Sequence, residues 1–147
     1  MQIDWQLIWF HSYHLLAAFL LALPLGWDRE KSSRNFGLRT FPLVAVVTCG
    51  FMMLGIAVID STGGEARIFQ GIITGIGFIG GGSILTSSDK VKGTAAAATI
   101  WNTGAIGVAV AFDRFEIATI LSALNFFTLL FFKQVKEYAI ENDNGEK

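Results

Sequence analysis

The sequence predicts an all-α, polytopic membrane protein of about five transmembrane helices, with the N-terminus outside and the C-terminus in the cytoplasm. Three observations predict it. Of 147 residues, 52% are hydrophobic and only 16% are charged, and the mean hydropathy is +0.52. The charges gather in short clusters. Between the clusters lie apolar runs close to the roughly 20 residues a helix needs to cross a hydrocarbon core of about 30 Å, whereas a water-soluble domain shows amphipathic periods of 3.6 or 2.

The first span is expected at about Leu7 to Leu25. His11, Ser12, Tyr13 and His14 interrupt it and Pro24 lies near its end, which leaves four spans as the alternative count. Trp5 and Trp9 at one end and Trp27 at the other fit interfacial anchors, and a proline is tolerated in a membrane helix. The N-terminus has Asp4 and no Lys or Arg, so it lacks the positive region that opens a signal peptide, and the segment is expected to be retained. The other spans are expected at Phe41 to Ile59, Ile68 to Thr86, Thr94 to Phe112 and Phe115 to Phe132. The connectors are short. Residues 1–134 therefore form one transmembrane domain, and 135–147 a polar cytoplasmic tail.

Orientation follows from the positive charges. One arrangement collects Arg29, Lys31, Arg34, Arg39, Lys90, Lys92, Lys133, Lys136 and Lys147 on one side, against Arg67 and Arg114 on the other. Because cytoplasmic loops carry the excess of Lys and Arg, the richer side is cytoplasmic.

The third span carries Gly71, Gly75, Gly77, Gly80, Gly81 and Gly82, each costing about 1 kcal/mol relative to Ala in an ordinary helix. Two readings offset that cost. Gly71 with Gly75 and Gly77 with Gly81 form small-xxx-small pairs that let helices approach closely. Alternatively, Gly80 to Gly82 break the helix and line a cavity, as discontinuous transporter helices do. In the fourth span Thr99 and Asn102, with Thr103 beside them, make a polar stripe suited to interhelical hydrogen bonds.

The predicted topology also gathers Asp28, Arg29, Glu30 and Arg39, with Thr40, Ser83 and Thr94, into a cytoplasmic polar cluster. Charges at span ends sit at headgroup depth, paired with one another or with lipid phosphate. His11 and His14 share a helical face at a spacing two metal ligands use, but a third ligand is not evident in the sequence nearby, so they are weak metal candidates. Cys49 lies in an apolar run and reads as a packing residue.

Composition also narrows the function classes. A net charge of −1 without a basic stripe argues against nucleic acid. HExxH, GxSxG and the phosphate-cradling GxxxxGK[ST] are all missing, so no catalytic residues are assigned and an enzyme is not expected. GxGxxG does occur at Gly75 to Gly80, but a dinucleotide site needs a soluble βαβ unit around it.

Four segments resemble the MgtC/SapB family of bacterial membrane proteins: GWDREK at Gly26 to Lys31, GLRT at Gly37 to Thr40, GIGFIGGGSIL at Gly75 to Leu85 and VKGTAAAATIW at Val91 to Trp101. Their order and spacing match as well, over about residues 15 to 112. The family usually has an ERE-like triplet where this chain has Asp28, Arg29 and Glu30, and a GLTTAA-like run where it has Gly93, Thr94 and Ala95 to Ala98. The first departure keeps the charge pattern. The second removes a hydroxyl and a branched side chain, which loosens the transfer around the fourth span. Longer members carry a soluble C-terminal domain that this short form is expected to lack.

The resemblance implies a multi-pass protein of the bacterial inner membrane linked to magnesium-limited growth and virulence. The expected role is accessory or regulatory, through helix contacts with itself, as a homo-oligomer, or with a membrane-protein partner in the lipid bilayer. The alternative is a transporter or channel for Mg²⁺ or another cation. No cofactor is expected, and for Mg²⁺ the sequence supplies no ligand set, since its acidic residues lie at or beyond the span ends.

Overall fold

The computed structural model describes residues 4–32, 37–59, 61–87 and 90–145. Within them are five α-helices, α1 (Trp5–Ser32), α2 (Thr40–Val58), α3 (Thr62–Gly82), α4 (Thr94–Ala111) and α5 (Phe115–Gly145), and one antiparallel hairpin between α3 and α4, formed by β1 (Leu85–Ser87) and β2 (Lys90–Lys92). Stretches of α1 (Trp5–Glu30), α2, α4 and α5 (Phe115–Phe132) are long and apolar enough to cross a membrane. An apolar run in lipid has no water to satisfy its peptide groups, and the helix satisfies them internally.

Helix ends are set by polar residues. Asp4 Oδ1 accepts the backbone N–H of Gln6 at 3.0 Å and of Leu7 at 3.3 Å, which caps α1. Ser61 caps α3 by accepting from Gly64 N at 3.2 Å, with Glu65 in the first turn facing the positive end of the helix dipole. Pro24 lies inside α1 and the helix continues through it.

Contacts along the helices fix an up-down order. A Cβ on Gly26 would sit 3.1 Å from Leu38 Cα and one on Gly50 would sit 3.8 Å from the Leu15 side chain, so α1 and α2 are antiparallel. Gly80 lies against Ala97 and Gly104 against Ile76, which makes α3 and α4 antiparallel, and with three residues between α2 and α3 the contact of Gly55 with Ile68 turns α3 back along α2. Asn102 reaches Leu121 across the α4/α5 pair. By contrast α1 and α5 run parallel in constant register, His14 beside Phe115 and Leu21 beside Ser122.

The helix α3 differs most from its expected limits. It opens before Ile68, at Thr62, and closes at Gly82 rather than Thr86, where the apolar run continues into β1. Its first turns carry Glu65 and Arg67, which lowers its hydropathy. Even so, α3 lies antiparallel to both neighbours and carries the chain from the end of α2 to the opposite end of the bundle, where α4 begins. At about 1.5 Å per residue its length matches a hydrocarbon core. The helices α2 and α4 are the most buried, and the core runs through Ala45, Cys49, Met52, Ile100, Ile106 and Val110.

Candidate functional site

The up-down order brings the C-terminal ends of α1 and α3 and the starts of α2 and α4 to one end of the bundle, where two groups of polar residues form. In the first, Asp28 is buried and its Oδ2 accepts from Arg29 Nη2 at 3.1 Å, so the two neighbours form a nearly buried ion pair. Such a pair is held because removing one partner would leave the other charge uncompensated in low dielectric. Glu30 turns the other way and its Oε2 accepts the backbone N–H of Leu38 at 3.0 Å. Gly37 is packed so closely that an added Cβ would run into the Glu30 side chain. The GWDREK and GLRT segments therefore meet through Gly26, Glu30, Gly37 and Leu38. Arg39 is exposed at the start of α2 and makes no side-chain cap, and Thr40 is half-buried with its N–H donating to Gly37 O at 3.0 Å.

The second group joins the other two segments. Ser83 is buried and its hydroxyl donates to Gly80 O at 2.6 Å, while a Cβ on Gly80 would sit 3.2 Å from Ala97 O. Gly93 has φ +91°, in the left-handed region, and lies directly against the Ser83 carbonyl. A side chain there meets both a strained backbone and a collision. Thr94 follows it, exposed, as the first residue of α4. Among the described residues no hydrogen bond or ion pair joins this group to the Asp28 group. They share one end of the bundle but form two polar sites where a single cluster was expected.

Gly80 to Gly82 do not break α3. They remain helical and end it, with Ser83 N donating to Gly80 O at 3.0 Å and Ile84 N to Gly81 O at 3.1 Å. Among the described residues, nothing lies within 4 Å of a Cβ placed on Gly71, Gly75, Gly77, Gly81 or Gly82, and of the six Gly80 makes the close helix contact. Beside Gly71 and Gly75 a groove of about 800 Å³ runs between α2 and α3, walled by apolar side chains such as Val47, Phe51 and Ile72.

The polar stripe of α4 is largely satisfied within its own helix. Thr99 and Thr103 are buried and their hydroxyls donate to Ala95 O and Thr99 O, both at 2.7 Å. Asn102 makes the one interhelical bond of the three, Nδ2 to Leu121 O at 3.4 Å. A shorter one comes from Ser122, whose hydroxyl donates to Leu21 O at 2.6 Å.

At the opposite end, His11 is exposed and His14 is buried. His14 Nδ1 lies 2.8 Å from Phe10 O, and Nε2 lies 2.7 Å from Asp113 Oδ1 in the α4–α5 turn. Among the described residues no group of three or more His, Cys, Asp or Glu is placed to hold a metal ion. Sequence reasoning names Gly93 only as part of a family-like segment, with no role, and misses Asp113. The signal for Gly93 was available, as a glycine placed directly before the first threonine of a helix. Asp113 had none, because its partner is 99 residues away.

Four long apolar helices and a fifth that returns between them define a multi-pass helical membrane protein. Residues 15–138 match the model of the MgtC family, and the chain belongs to that family. It is 33% identical to Protein SrpB of Synechococcus elongatus, over 92% of this chain and 82% of the relative. It is 37% identical to Protein MgtC of Salmonella typhimurium, over 71% of this chain and 45% of that one. It is 30% identical to a protein of Escherichia coli K12 named "Putative magnesium transporter YhiD", over 82% of this chain and 60% of that one. The chain thus spans 45% and 60% of the latter two, less than two thirds of either. No solved structure matches it.

Proposed function

We propose that this chain is an accessory or regulatory protein of the bacterial inner membrane that works by helix contact, with a second copy or a membrane-protein partner, along the glycine face of α3. The observation that carries this reading is the open surface at Gly71, Gly75, Gly77, Gly81 and Gly82, next to an apolar groove. Glycine in a helix is costly where it serves no contact, and in lipid close backbone approach is what small residues supply. The excess of positive charge at the end that holds Arg29, Arg39 and Lys92 supports a cytoplasmic position for that end and an outside N-terminus. The link to magnesium-limited growth and virulence rests on the family resemblance, and no catalytic role is assigned.

The test is substitution on that face. Gly75→Leu and Gly81→Leu should abolish function in a low-magnesium growth assay in which deletion of the gene has a phenotype, while the protein still inserts and folds. Wild-type growth of both variants would overturn the reading.

A second reading, transport of Mg²⁺ or another cation, is favoured by the name of the Escherichia coli relative. It requires flux in proteoliposomes of the purified protein, and the absence of ion-selective flux across a range of gradients and potentials would remove it.

A further inference from the structure

His14 is 2% exposed, and both of its ring nitrogens face oxygen atoms. The oxygen at Nδ1 is the backbone carbonyl of Phe10, 2.8 Å away, which can only accept, so that contact requires a proton on Nδ1. The oxygen at Nε2 is a carboxylate oxygen of Asp113, 2.7 Å away, and that contact requires a second proton between the two atoms. A neutral imidazole carries one N–H and an ionised carboxylate carries none. The two contacts therefore exist together only when the pair holds one proton more than that, as imidazolium with carboxylate, imidazole being the stronger base of the two.

We propose that His14 and Asp113 form a proton-binding site that ties the outer half of α1 to the α4–α5 turn. The site is built by the fold. Asp113 has φ 57°, a left-handed conformation uncommon for a residue other than glycine, which an Asp tolerates and which belongs to the tight turn from Phe112 to Arg114. The His14 ring is enclosed by Phe10, Tyr13 and Phe115. The Asp113 carboxylate is itself largely exposed, with its side chain 64% accessible, so protons reach the pair from outside the bundle.

The pair has charged and titratable neighbours in its own segments. On α1 the titratable groups near it are Asp4, His11 and Tyr13; after the turn they are Arg114 and Glu116, which lie 4.0 Å apart. The helices α2 and α4 contribute no Asp, Glu, Lys, Arg or His, and α2 only the thiol of Cys49. Loss of the proton leaves one N–H for two acceptors. Whichever nitrogen keeps it, one of the two contacts fails, and the fold shown is bound less firmly.

The experiment uses the whole protein in lipid nanodiscs. Its only histidines are His11 and His14, so His11→Gln leaves one imidazole to observe. In that variant ¹⁵N NMR should show both ring nitrogens of His14 protonated at the acid end, and the thermal unfolding midpoint should fall by about 2–4 °C or more as the proton is lost, the response of a chain of this size to a change near 1 kcal/mol. Asp113→Asn and His14→Gln, each made separately, should flatten that pH dependence. A ring that is singly protonated throughout, or a pH dependence that survives Asp113→Asn, would overturn the proposal.

Discussion

Gly107→Ala is the substitution whose effect the packing defines most sharply. Gly107 lies on α4 where that helix crosses α2. An added Cβ would stand 3.0 Å from Cys49 N, and closer than real Cβ contacts come to both Ala45 O and Thr48 Oγ1. Two of these three neighbours are backbone atoms and cannot rotate aside, so α2 and α4 must part by roughly 1 Å. A gap of that size forfeits a quarter to a half of the dispersion energy of the atoms it separates. Overpacking of a core costs about 1–3 kcal/mol, and the backbone contacts place this case near the upper limit. Alanine's better helix propensity returns about 1 kcal/mol. The net loss is about 2 kcal/mol, which for a chain of this length lowers the unfolding midpoint by about 4–8 °C. Gly63→Ala is the matched control. It adds the same methyl group to open space and should leave the midpoint unchanged or raise it. Circular dichroism during heating in the same lipid measures both. A midpoint for Gly107→Ala at or above wild type would refute the close α2/α4 contact.

Three further outcomes follow from named contacts. Gly93→Ala should lose about 1–2 kcal/mol from the left-handed backbone alone, and more from its collision with the Ser83 carbonyl, read as a lower unfolding midpoint. Ser122→Ala removes the bond from α5 to Leu21 O and should cost about 0.6 kcal/mol, the mean for hydrogen bonds between membrane helices, by unfolding from bicelles. Arg39→Ala should change stability by less than about 0.5 kcal/mol, because the side chain is exposed and caps nothing, so a large loss in the same assay would show a partner for it.

The apolar runs made α2, α4 and the membrane part of α5 legible almost to the residue, because hydropathy and helix limits coincide where polar connectors are short. They diverge in α1 and α3. The last turn of α1 is written in charged residues that pair locally or bond to the next segment, as Asp28 does with Arg29 and Glu30 with Leu38, so a hydropathy reading stops at Leu25 while the helix goes on. In α3 the apolar run outlasts the helix, since Ile84 and Leu85 leave it for a hairpin.

The candidate site was legible as four segments but not as two groups. Spacing shows which residues share a helix end, whereas the pairing of Gly26 with Leu38 and of Gly93 with Ser83 depends on how connectors fold back. Glycine content announced a close approach in α3 without saying to what. Gly80 meets α4, and the other five open outward. The His14–Asp113 contact joins the first helix to the last turn, a distance in sequence at which no local pattern operates.

The open face of α3 is where this chain is proposed to meet protein. A photo-crosslinking amino acid placed at Gly75 in the intact protein, in native membranes, tests it most directly. The expected result is a discrete protein adduct, either with a second copy or with one membrane partner, and a much weaker adduct from the same probe at the exposed position Phe131 of α5. Capture of lipid alone from Gly75, at a yield matching Phe131, would contradict it.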